Sequence, residues 1–205
     1  MSDHKGWHDR GYLPHFDAAE AIQHVVFRLE GSLPASVLDR IRQASDGFSL
    51  GVDEALDRGD GPDWLADASC ADIVAEALTS FDGERYRLLA WVVMPNHVHA
   101  LIRQEDGWPL STVVKSWKSF TARKVNHRLG RSGALWAPDY FDRFMRDEGQ
   151  TNAAMNYIEA NPVKAGLCRT PADWRWSSAA GRTGGAADIE SLADLEVRAP
   201  FTNER

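Results

Sequence analysis

Cysteine is scarce in this 205-residue chain, which holds only Cys70 and Cys168. Two thiols make neither a disulfide framework nor a four-cysteine zinc site. They are expected to be reduced thiols of a cytoplasmic protein. Long apolar runs are missing too. The longest, Leu88 to Met94, has seven residues, against the roughly 18 that a membrane-spanning helix needs, so no membrane partner is expected. The first ten residues carry Asp3, His4, Lys5, His8, Asp9 and Arg10, a charge density that argues against a signal peptide. No repeat or low-complexity segment is visible. What remains, 43% hydrophobic and 26% charged residues, is the composition of an ordinary folded domain.

Acid is absent from one stretch of an acidic chain. The net charge is −7, and eleven acidic residues against one basic residue, Arg58, lie between Asp46 and Glu84. From Gly107 to Pro138 there is no acid, while Lys115, Lys118, Arg123, Lys124, Arg128 and Arg131 are present. Such segregation is either a polyanion footprint or a solvated helix face, and the total charge conceals it.

Hydrophobic spacing predicts a strand over 21–30 and helices over 34–45, near 52–56 and over 64–80. The acidic helices within 34–84 read as one insertion beside a sheet. A strand over 85–94, a turn at Pro95-Asn96 and a strand over 97–103 follow, since proline belongs at a break in the ladder. Residues 109–130 predict a helix whose buried face carries Val113, Val114, Trp117 and Phe120. Leu135 to Met145 reads as aromatic-rich strand or loop. A helix over 150–160 is expected to stop at Asn161-Pro162. The tail over 184–205 is polar and acidic and is expected to be loosely ordered.

Two groups of residues carry chemistry. In His97-Val98-His99 the period of two sends both imidazoles to one face and Val98 to the other, which suits either a metal chelate or a polar sheet face. Tyr157 and Asn161, four residues apart, share a helical face. Taken alone, Tyr157 is more often a packed helix aromatic, and Asn161 is equally well explained as a helix stop. Trp117 and Trp136 suit base stacking or, better, burial.

The segments MPNHVHALI, SWKSFTARKVN, LWAPDYFDRFMRDE, YIEANPVKAGL and DWRWSSA, with GYLPHF and FRLEGSLP before them, together resemble the REP-associated tyrosine transposases. These are relatives of the single-tyrosine insertion-sequence transposases in the HUH (His-hydrophobic-His) nuclease superfamily. The resemblance covers residues 7–180 as one domain. It implies an α+β fold, a small antiparallel sheet flanked by helices, with the histidines on a central strand and the tyrosine on a helix facing them. It further implies His97, His99 and Asn161 as ligands of Mg²⁺ or Mn²⁺ and Tyr157 as the nucleophile. The implied reaction cleaves and rejoins single-stranded DNA at palindromic repeat hairpins through a 5′-phosphotyrosine, in a bacterial, nucleoid-associated monomer or homodimer. The basic residues of 109–131 would then contact DNA phosphates. Tyr140 is the rival nucleophile. Alternatives are a hairpin-binding regulator without catalysis and, more distantly, a zinc hydrolase with a His-x-His site.

Overall fold

A computed structural model describes residues 6–9, 14–43, 52–59 and 61–181; the tail expected over 184–205 lies outside them. A two-stranded antiparallel ribbon pairs β1 (Gly6–Asp9) with β2 (Pro14–Asp17). The main sheet has four antiparallel strands in the order β4-β5-β3-β6. Its members are β3 (Ile22–Arg28), β4 (Tyr86–Val93), β5 (His97–Gln104) and β6 (Phe141–Phe144). The β4–β5 hairpin closes through Pro95-Asn96, as the missing proline donor requires.

Strand alternation divides the interior in two. Val25, Phe27, Val98, Ala100 and Ile102 face helices α3 (Ala68–Thr79) and α4 (Leu110–Arg128), packing on Val74, Leu78, Val113, Val114 and Trp117. Trp117 Nε1 donates to Tyr86 Oη, which donates to the Leu78 carbonyl at 2.7 Å. Burial pushes the Tyr86 phenol up to about 12, so this tyrosine is a fixed core group. On the other face, Ala90, Val92 and Leu101 pack on Ala154 and Ile158 of α5 (Glu148–Lys164). Beside them Val26 and Phe141 pack on α1 (Ala35–Gln43) and α2 (Val52–Asp57). The histidine face therefore lies between α5 and the α1–α2 pair.

The segment 34–84 lies between β3 and β4 and is divided between the two faces: α1 and α2 cover the histidine face, whereas α3 packs on the opposite one. Three expectations are corrected. The stretch 64–80 is not one helix. A 3₁₀ turn, Trp64–Ala66, precedes α3, and Asp67 caps α3 by accepting from Ser69 N–H and Cys70 N–H. Phe120 is 36% exposed and so is not on the buried face of α4. Finally, α5 runs through Asn161-Pro162 to Lys164. Proline removes one internal bond, and the end is closed by Gly166 N–H to the Val163 carbonyl and Leu167 N–H to the Pro162 carbonyl. Gly166 sits at φ +71, as this helix terminus demands.

Candidate active site

β5 carries His97 and His99 on the α5 side of the sheet, both fully buried, with Val98 in the opposite core. They are no solvated sheet face. Asn96 fixes the first ring: its Nδ2 donates to the Leu56 carbonyl at 2.7 Å, which leaves Oδ1 to accept from His97 Nδ1–H at 2.6 Å. His97 Nε2 is thereby turned toward His99. His99 Nε2 accepts from Asn161 Nδ2 at 3.1 Å, and His99 Nδ1 meets His24 Nε2 at 3.0 Å. Burial, then the charges at His24 and Lys164, hold His99 well below its ordinary pKa, so the ring is neutral. Its single proton then lies on Nδ1, toward His24.

The two Nε2 atoms face each other 2.9 Å apart. Cis nitrogen ligands of a six-coordinate ion at about 2.1 Å stand about 3.0 Å apart. Asn161 is buried, and its Oδ1 lacks a partner. Rotating the amide exchanges Nδ2 for that oxygen, a third donor beside the two nitrogens. The residues present thus fit a divalent cation. The set is two imidazoles and one amide; among the described residues no group of three or more His, Cys, Asp or Glu is arranged to hold one.

Tyr157 is half-buried one turn before Asn161. Its ring stands edge-on to His99 at 5.9 Å and to His24 at 6.2 Å between centroids. Lys164 Nζ lies 4.1 Å from the centre of the same ring. Tyr140, in contrast, belongs to the core on the α4 face, packs its ring at a tilt against His15 with 4.7 Å between centroids, and lines a cleft of about 610 Å³ beside α4. The structure brings together His97, His99, Tyr157 and Asn161, and adds His24 and Lys164, which the sequence patterns did not single out. His24 precedes Val26 at the strand period, but only the β3–β5 register brings it beside His99.

The basic residues are on α4 and just after it, across the sheet from the histidines. Lys115, Arg123, Lys124 and Arg128 are exposed. Two others are engaged internally. Lys118 Nζ donates to the carbonyls of Ala137, Pro138 and Asp139 at 2.7, 2.9 and 3.3 Å, and burial lowers it to about 8. Arg131 lies over the Trp64 ring at 3.6 Å and donates to the Ala134 carbonyl. Trp117 and Trp136 are core residues.

A four-stranded antiparallel sheet carries a buried histidine pair on one strand, and a facing helix carries a tyrosine. Residues 66–161 match the family described as "Transposase IS200 like". More particularly, the chain is 26% identical over 93 residues to a REP-associated tyrosine transposase of Escherichia coli (strain K12). That match spans 45% of this chain and only 54% of the relative. The solved structure of a REP-associated tyrosine transposase bound to a REP hairpin superposes with a TM-score of 0.55 and 16% identity, covering 100% of this chain and 93% of that one. At that identity the likeness is one of fold. The resemblance to REP-associated tyrosine transposases and the α+β fold expected from it are both borne out.

Proposed function

We propose that this chain is a divalent-cation-dependent transesterase of single-stranded DNA that cleaves and rejoins strands at palindromic repeat hairpins. The observation that carries the proposal is the convergence of the buried His97 and His99 Nε2 atoms to 2.9 Å, with the Tyr157 ring edge-on to His99 and Asn161 beside it. The curated relative is a REP-associated tyrosine transposase and the similar solved structure is bound to a REP hairpin, which supports the choice of substrate. A hairpin-binding role without catalysis would not require a buried ligand-competent histidine pair.

A divalent cation, Mg²⁺ or Mn²⁺, held by His97, His99 and Asn161 would polarise the scissile phosphodiester. Tyr157 Oη attacks phosphorus and loses its proton to water. The Oη–P bond forms and the P–O3′ bond breaks, and the leaving oxygen takes up a proton as a free 3′-hydroxyl. Rejoining reverses the step with a 3′-hydroxyl, so the phosphodiester bond energy is kept in the tyrosine ester. His24, at His99 Nδ1, holds the ring so that Nε2 is the acceptor that faces His97 and Asn161. Exposed Lys115, Arg123, Lys124 and Arg128 contact phosphates.

Double substitution of His97 and His99 by Ala should abolish adduct formation and Mn²⁺ binding while leaving hairpin affinity within about threefold, since phosphate contacts made elsewhere hold the DNA. Asn161→Ala should be milder, because water replaces one neutral oxygen. Adduct formation that survives the double substitution would remove the metal site.

A further inference from the structure

On the α5 surface, Tyr157, Asn161 and Lys164 stand at i, i+4 and i+7, one stripe of the helix. Helical side chains lean toward the N-terminus, so Lys164, in the last turn, reaches back along that stripe. Its ammonium ends 4.1 Å from the Tyr157 ring centre. The terminus is held by the Val163 and Pro162 carbonyl bonds described above, which set where this lysine starts. Its charge also reaches the metal-ligand histidine, contributing to the downward push on His99.

Among the described residues, hydrogen bonds made by the neighbouring charged groups lead away from this ammonium. His97, His99, Asn161 and Tyr157 bring no carboxylate to this face. Glu159, on the same helix, accepts from Ser178 Oγ at 2.7 Å, on the flank where the 178–181 turn meets β4. Arg28, opposite His97 in the β3–β5 register, directs Nη1 to the Leu29 carbonyl. The phosphodiester that must reach Tyr157 is an anion, and the tyrosine oxygen becomes one on losing its proton. Two anions meeting at a half-buried site require a positive charge that is placed before they meet.

Resting on the transesterase function proposed above, we infer that Lys164 is a positioning residue for the reaction. Its ammonium holds the Tyr157 ring edge-on to His99 and supplies fixed positive charge beside the attacking oxygen and the incoming phosphate. It neither takes the tyrosine proton nor forms a bond in the step.

The test uses the full chain, a hairpin DNA with a single-stranded flank and Mn²⁺. Single-turnover adduct formation is followed at rising DNA concentration for the wild type, Lys164→Met and Lys164→Arg. Methionine keeps most of the stem and removes the charge. The saturating rate should fall about 10–30-fold in Lys164→Met, with half-saturation and Tm nearly unchanged, and Lys164→Arg should recover most of it. Mn²⁺ binding, read by electron paramagnetic resonance without DNA, should tighten a few-fold in Lys164→Met because a repelling charge is gone. A wild-type rate in Lys164→Met, or a loss that Lys164→Arg fails to restore at unchanged Tm, overturns the role of Lys164 alone. Absence of any adduct in the wild type overturns the transesterase function itself.

Discussion

Residue by residue, what a side chain touches decides what its chemistry is for. Lys118 and Lys124 look alike in an acid-free stretch, yet Lys118 spends its ammonium on three carbonyls while Lys124 is exposed. Lys118→Met should therefore lower stability by about 1–3 kcal/mol, the cost of leaving buried acceptors unpaired, and leave the salt dependence of DNA binding unchanged. Lys124→Glu should do the reverse, flattening the log–log salt slope by about 0.7 for a lost single-strand contact. Urea unfolding and salt-titrated binding separate the two; equal salt slopes would show that α4 is only a solvated face. The facing of His97 and His99 was legible because strand period is a local property. His24 was not, because its meeting with His99 joins residues 75 apart in sequence and depends on sheet register. Phe120 was misread for a related reason: its spacing from Trp117 fits a buried stripe, but the stripe on α4 continues through Thr121 and Val125 instead.

At the scale of elements, local rules found strands and helices and erred at their ends. Pro162 reads as a stop, but near a helix terminus it costs little, and the Gly166 closure carries α5 a turn further, bringing Asn161 and Lys164 onto the same helix as Tyr157. Acidic composition marked 34–84 without telling that its helices go to opposite faces, since charge reports the solvated side and not what is covered. The tie between β2 and β6 has a pH signature. Burial would lower His15, but the carboxylates of Asp139 and Asp142 more than reverse this, raising it to about 9 from 6.5. A histidine raised on folding contributes its full stability below the unfolded pKa and loses it as pH climbs through the folded one. Lys118, depressed to about 8, acts in the opposite sense above that pH, so the clean window is pH 6.5 to 8. Across it, Tm should fall more steeply in the wild type than in His15→Gln. Parallel curves would mean that His15 is not held protonated by the two carboxylates.

For the whole molecule, the proposed function divides into two tasks on opposite sides of the sheet. The histidine pair, Asn161, Tyr157 and Lys164 occupy one face between α5 and the α1–α2 pair, while the exposed cations of α4 lie behind the other. A DNA strand that reaches both must pass around the sheet, so binding and cleavage are separable by mutation, as the histidine and lysine substitutions require. The family motifs were legible because they are contiguous; the division into two faces was not, because it is written only in which core each apolar residue joins. The nucleophile is the most exposed point of this account. It is tested by incubating the chain with a hairpin DNA carrying its single-stranded flank and Mn²⁺, digesting the product, and locating the nucleotide-bearing peptide by mass spectrometry. The account predicts a 5′-phosphate ester on Tyr157, absent in Tyr157→Phe, whose hairpin affinity is unchanged. An ester on Tyr140, or tight hairpin binding with no ester on any tyrosine, would contradict it.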